Sequence, residues 1–149
     1  MATINQIDLT ITTSNLSEDG EGPGTQAWVY LAIAGREFCV DSKINDFESG
    51  TTKTYRFGSF NNIEFPKFNN PTMLMILQTE DIDLFPVWLR MEPNGENADW
   101  HIEEVKLSVN KGEFRFEALT GKTLAGTNES LWLGQNFGKY LFLKRKIER

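Results

Sequence analysis

Gly24-Thr25-Gln26-Ala27-Trp28-Val29-Tyr30-Leu31-Ala32-Ile33-Ala34-Gly35 is the stretch on which the fold turns. At a period of two, Ala27, Val29, Leu31 and Ile33 fall on one face and Trp28, Tyr30 and Ala32 on the other, so both faces carry apolar mass. Gly22-Pro23-Gly24 before it and Gly35-Arg36 after it are turn chemistry, which bounds a strand and argues against a long helix. A strand apolar on both sides belongs in the interior of a sheet. The stretch therefore reads as a central strand of an all-β domain.

Working outward, Ile7, Leu9 and Ile11 alternate with Asp8, Thr10 and Thr12, the pattern of a half-buried antiparallel strand. Phe38 and Val40 define a short strand over residues 36–41, and Tyr55 and Phe57 another after the turn at Gly50. Residues 58–71 interleave Gly, Ser, Asn and Pro with Phe60, Ile63, Phe65 and Phe68 and read as an irregular, aromatic-rich connection. Met73–Leu77, apolar throughout, reads as a buried strand or part of a short helix, and its length favours a strand. Val87, Leu89 and Met91 share a face. Between Trp100 and Val109 the alternation changes phase, which predicts a bulge near Glu103-Glu104. Shorter strands follow at 113–118, 131–133 and 140–143. Eight or nine strands with turns between them make a two-sheet antiparallel β-sandwich.

The 149 residues suit one domain, and 40% hydrophobic content with 11 Phe and 4 Trp suits a folded core. No apolar run approaches the roughly 20 residues that span a bilayer as a helix. The N-terminus already alternates as a strand and lacks a basic start followed by an apolar block, so no signal peptide is read. One cysteine, Cys39, excludes an internal disulfide and fits a reducing, cytoplasmic setting, peripheral to a membrane if bound to one. A net charge of −6 argues against nucleic acid as partner. Lys139, Lys144, Arg145, Lys146 and Arg149 make a basic C-terminal end that reads as a solvated tail, with an anionic surface as the competing account.

Catalytic chemistry has little to stand on. His101 is the one histidine and sits in an alternating strand, and there is no Gly-x-Ser-x-Gly elbow, phosphate loop or dinucleotide fingerprint. The chain reads as a non-enzyme. Hard-cation binding is the candidate chemistry: Glu18, Asp19 and Glu21 lie in one Gly-rich loop, and Glu92, Asn94, Glu96, Asn97 and Asp99 in another. Calcium takes six to eight oxygens from such loops. The competing account is two hydrophilic turns.

The order of motifs resembles the PLAT, or lipoxygenase-homology, β-sandwich. The matching pieces are Ile7–Thr13, the Gly-rich loop into Gly24–Leu31, Phe47-Glu48-x-Gly50-x-Thr52-x-Thr54-Tyr55, and Asp99–Leu107. They fall within residues 3–57 and 86–109. Gln26 stands where the family commonly has an acid, Met91-Glu92-Pro93-Asn94 where it has a His-Asp-Asn-like turn, and the 58–84 connection is longer than usual. The resemblance implies a stand-alone recruiting module that docks to lipid or membrane surfaces, calcium-assisted in some members, or else binds a partner protein. It also places the two acidic loops, with Glu18, Asp19, Glu21, Glu92 and Asp99 as calcium candidates, at one end of the sandwich. The expected contact residues are Phe60, Phe65, Phe68 and Phe85, aided by Lys144, Arg145 and Lys146; at least one of Phe60 and Phe68 is expected to be exposed.

Overall fold

A computed structural model describes residues 2–14, 25, 27–93, 99–119, 131–135 and 137–147. The strands are β1 (Gln6–Thr13), β2 (Trp28–Ile33), β3 (Arg36–Cys39), β4 (Thr52–Gly58), β5 (Trp88–Glu92), β6 (Trp100–Val109), β7 (Phe114–Ala118), β8 (Leu131–Leu133), β9 (Tyr140–Phe142) and β10 (Lys144–Arg145). One sheet runs β10-β7-β6-β1-β4, with β8 also paired to β6, and the other runs β3-β2-β5-β9, all neighbours being antiparallel. The only helical piece among the described residues is a single 3₁₀ turn, Thr79–Asp81.

Alternation decides which face each sheet turns inward. Ile7, Leu9, Ile11, Val29, Leu31, Trp100, Leu107 and Phe116 are all buried, as their periodicity predicts, and belong to one core shared by both sheets. Aromatic contacts knit that core together: Phe38 packs on Phe57 with ring centroids 5.5 Å apart, and Phe47 on Trp100 at 4.8 Å. Burying the Trp100 indole leaves its N–H to be satisfied, and it donates to Thr13 Oγ1 at 3.0 Å. The predicted bulge is present: Thr12 pairs with Glu104 and Thr13 with Ile102, so Glu103 is skipped and the apolar phase is restored.

β2 is an inner strand of the smaller sheet, as its sequence predicts, with its second face partly open: Trp28 is exposed, and Tyr30 lies beneath the Arg90 guanidinium, 4.4 Å from the ring centroid. Two expectations are corrected. Met73–Leu77 is not a strand; Met73, Leu74, Met75 and Ile76 are exposed, and only Leu77 is buried. The preceding Asn69-Asn70-Pro71 turns the chain, and Leu74 takes φ +70°, which breaks strand geometry. The basic C-terminal end is not a free tail, because Lys144 and Arg145 pair with Glu117 and Phe116 of β7.

Strand pairing also fixes the two ends of the sandwich. At one end Thr12 pairs with Thr52, Trp28 with Glu92, and the Ser14 amide donates to the His101 carbonyl at 3.0 Å. At the other, Gln6 pairs with Gly58, Ile33 with Arg36, and the Ile4 amide donates to the Leu77 carbonyl at 2.9 Å. Eight residues of β1 separate them, about 25 Å of extended chain.

Candidate functional site

The end that holds Gly58, Gly35 and residues 59–85 carries an unusual surface. Phe60, Phe65, Phe68, Met73, Leu74, Met75, Ile76, Leu84 and Phe85 are all exposed, Phe60 at 79% and Leu74 at 80%. Scattered apolar residues are ordinary on a surface, whereas nine exposed within 26 positions of one connection is a concentration that makes this segment the candidate interaction site. Phe60, Phe65 and Leu74 have φ of +60°, +52° and +70°. Bulky side chains rarely adopt that region, and holding one there costs on the order of 1 kcal/mol or more. The backbone is thus held in a form that keeps large side chains out of the core.

Arg36, at the start of β3, supplies much of that restraint. Its Nη1 donates to the carbonyls of Asn70 and Met73, each at 2.9 Å, and its Nη2 to that of Phe68 at 2.8 Å. The guanidinium stacks over the Phe38 ring at 4.7 Å, and partial burial lowers its pKa from the ordinary arginine value. Asn69 adds a second tether: its Oδ1 accepts the Cys39 amide at 2.8 Å, and its Nδ2 donates to the Phe65 carbonyl at 3.1 Å. These bonds cover the open edge of β3, and burial there pushes the Cys39 thiol up to about 11, so it is no ready nucleophile. Phe85 lies against Gly35, where a Cβ would meet the ring at 3.1 Å. Gly58 brings the connection down onto β1: a Cβ there would lie 2.1 Å from the Asn5 carbonyl oxygen.

All four predicted aromatic contacts, Phe60, Phe65, Phe68 and Phe85, therefore lie exposed on the 58–85 connection. The basic group is joined to the same segment at one point, where Arg145 chelates both carboxylate oxygens of Asp83 and lies 5.0 Å over the Phe114 ring. Lys144 and Lys146 flank it and are exposed. Residues 58–85 carry Glu64, Glu80, Asp81 and Asp83 against Lys67 alone, four negative charges and one positive.

The calcium candidates are not at this end. Glu18, Asp19 and Glu21 lie outside the described residues. Glu92, beside Trp28 at the opposite end, is paired with Arg90, and Asp99 Oδ1 accepts the Gln135 amide at 3.2 Å. Among the described residues no three His, Cys, Asp or Glu are grouped to hold a metal ion, so Glu92 and Asp99 do not make a calcium site by themselves.

Sequence reasoning missed Met73, Leu74, Met75, Ile76 and Arg36. Asn69-Asn70-Pro71 directly before the apolar run was the available signal against a strand; nothing local marks Arg36.

A two-sheet antiparallel sandwich with a long connection at one end defines the class of fold, a β-sandwich. Its fold is PLAT-like, as comparison with solved structures shows. The chain is similar over 95% of its length to the alpha toxin of Clostridium absonum (20% identity, TM-score 0.59, 32% of that chain). It is similar over 97% to the alpha-toxin of an avian strain of Clostridium perfringens (20%, 0.57, 31%). Coral 8R-lipoxygenase, described as activated by calcium through a C2-like domain, matches over 94% (16%, 0.57, 17%). The chain thus spans about a third of the toxins' length and less of the lipoxygenase's. No family model matches the sequence, and no curated protein matches it significantly.

Proposed function

We propose that residues 1–149 act as one non-enzymatic module that docks peripherally onto a lipid surface through the 58–85 end. The observation that carries this reading is the continuous exposed run Met73-Leu74-Met75-Ile76 on the same connection as exposed Phe60, Phe65 and Phe68, with Phe60, Phe65 and Leu74 held at positive φ. Aliphatic and aromatic side chains in a rigid loop insert at a bilayer interface in proportion to the apolar area they bury. Among the described residues no helix is long and apolar enough to cross a membrane. The fold-level likeness to toxin and lipoxygenase chains supports the reading without carrying it.

Flotation of the protein with vesicles of phosphatidylcholine, alone or mixed with phosphatidylserine, in chelator and in calcium, tests the proposal: binding that is lost in a Leu74→Ser, Ile76→Ser variant of unchanged melting temperature is expected, and no flotation of the wild type with any of them refutes it. Of the calcium candidates, the described ones, Glu92 and Asp99, stand at the opposite end, about 25 Å from the apolar loop, so an ion held by them would act on the stability of the fold rather than bridge that loop to headgroups.

A protein partner is the second reading, favoured by a different surface. On the outer face of the smaller sheet Trp88, Tyr140 and Phe142 cluster with centroids 5.7–6.4 Å apart, and the last two are exposed. Tyr140→Ser with Phe142→Ser leaves vesicle binding intact if this face serves a separate partner.

A further inference from the structure

We infer that the cleft between β7 and the segment around β10 is a phosphate site, and that it takes the exposed phosphomonoester of an anionic lipid when the 58–85 connection meets a bilayer. The inference rests on the lipid reading above and names a headgroup for it. A cleft of about 250 Å³ opens between residues 112–115 and residues 145–147. That is smaller than the roughly 300–1,000 Å³ of a site for a drug-sized molecule and suits a single small anionic group. Arg115, Arg145 and Lys146 line it and, among the described residues, one carboxylate, Glu113.

Strand pairing gathers these cations. Lys144 and Arg145 pair with Glu117 and Phe116, and the Lys146 amide donates to the Arg115 carbonyl at 2.8 Å, so Arg115 and Lys146 stand opposite each other across the ladder. Like charges directly opposite destabilise a sheet, and an anion between them removes the repulsion. Gly112 lets Arg115 come in close: its φ is +94°, and a Cβ there would lie 2.8 Å from Arg115 Nη2. Phe114 also lines the cleft, with the Arg145 guanidinium 5.0 Å over its ring.

The cleft and the apolar connection share one end of the sandwich. Val109 pairs with both Ile7 and Phe114, the Asn110 amide donates to the Gln6 carbonyl at 2.8 Å, and Gln6 pairs with Gly58, where the connection begins. Asp83 of the connection reaches Arg145 directly. A bilayer that receives the connection's apolar side chains therefore brings its headgroups to the cleft.

Charge sizes the ligand. Three cations line the cleft, Glu113 faces them and Asp83 holds Arg145, which leaves one positive charge. Exposed Lys111 stands beside it in the turn, and Lys144 is matched in register by Glu117. Glu148 and Arg149, of opposite sign, lie outside the described residues. On and under the connection Glu64, Glu80 and Asp81 outnumber Lys67 and Arg36, so this end is no cationic face, and it draws an anion through the cleft alone. A phosphomonoester offers three strong acceptor oxygens and a charge of roughly −1.5 to −2 at pH 7, which arginine binds through paired N–H donors. A diester phosphate gives one of those oxygens to its second substituent.

The test is sedimentation with sucrose-loaded vesicles of phosphatidylcholine alone, with phosphatidic acid, or with phosphatidylglycerol matched to the phosphatidic acid vesicles in surface potential, in chelator and in calcium. Wild type should bind the phosphatidic acid vesicles about tenfold more tightly than the matched phosphatidylglycerol ones. Arg115→Gln with Lys146→Gln should weaken that binding about thirtyfold, roughly fivefold for each basic residue, and leave binding to phosphatidylcholine as it was. Asp83→Asn, which frees Arg145, should tighten it, and Lys139→Gln, the same charge change beside Met91 at the opposite end, should leave it unchanged. If the double variant melts early, Lys146→Gln alone carries the test, since that side chain is exposed and makes no ion pair among the described residues. Equal binding to the two matched vesicles, a double variant that keeps the preference, or a Lys139→Gln loss as large as that of the double variant would overturn the inference. A melting temperature raised by inorganic phosphate with no gain from phosphatidic acid would assign the cleft to a soluble phosphate and overturn the lipid source. Wild type that binds phosphatidylcholine and gains nothing from phosphatidic acid overturns this inference while the lipid reading stands, whereas wild type that binds no vesicle in any condition refutes both.

Discussion

Replacing Phe60 and Phe68 together with Ser isolates the lipid contact from the fold. The two rings are 79% and 67% exposed, so folding has left about three-quarters of each still to be buried. Full burial of a Phe side chain contributes about 1.5–3 kcal/mol, so the remainder contributes about 1–2 kcal/mol per ring and about 3 kcal/mol for the pair. That is roughly a hundredfold in the vesicle partition coefficient. Folding should be nearly indifferent, with a change of about 0.5 kcal/mol or less, because neither ring is part of the core and Ser at residue 60 keeps the same positive φ. Sedimentation across a range of lipid concentrations gives the partition coefficient, and urea unfolding in parallel gives the stability. A folded double variant that partitions within twofold of wild type would refute the assignment of these rings to the contact surface. A loss of several kcal/mol in stability with partition per folded molecule intact would show that they are core.

Three further outcomes follow from the geometry. Gly58→Val should cost about 3 kcal/mol or more in urea unfolding, since φ is +90° and a Cβ would sit 2.1 Å from the Asn5 oxygen; Gly50→Val, at φ +71°, should cost less, and its companion Gly24 lies outside the described residues. Asp41, between β3 and β4, is raised to about 6 by burial first and then by Asp46, with Glu64 adding to it, while Asp46 is held below the usual carboxylate range by donors from Ser42 and Lys53. A raised carboxyl favours folding below about pH 4 and loses that contribution as pH rises through about 6, so Asp41→Asn should stabilise by about 1 kcal/mol at pH 8, after allowance for solvent screening, and by little at pH 4. The depressed Asp46 works the other way, and its contribution disappears only as pH falls below the ordinary carboxylate range. Thermal melts at the two pH values check both signs. Titration calorimetry with millimolar calcium checks the acidic loops: heat and a raised melting temperature, reversed by chelator, are expected if Glu18, Asp19, Glu21, Glu92 and Asp99 converge, and no heat removes the site.

Local pattern was enough wherever a residue's environment is set by its own strand. Ile7, Leu9 and Ile11 must face a core because alternation leaves them no other side, and the phase change across Glu103 announces a bulge because only an extra residue returns Val105 and Leu107 to that side. Turn residues at Gly35, Gly50 and Gly58 then separate the strands, and the PLAT-like sandwich follows. The irregularity of the aromatic connection was legible, since Asn and Pro between Phe60 and Phe68 forbid alternation, and so was the exposure of one of those two rings; that Phe60, Phe65, Phe68 and Phe85 all stay outside was not. What tertiary structure alone decided is everything that depends on a partner distant in the chain. Met73–Leu77 carries the composition of a buried strand, yet four of its five side chains face outward because Arg36, more than thirty residues earlier, takes up carbonyls of the same loop. Lys144 and Arg145 look like a solvated tail until β7 offers its edge and Asp83 its carboxylate. Apolar composition measures how much free energy burial would release; whether there is a cavity to receive the side chain is set by the packing of two sheets, and a sequence window does not contain it.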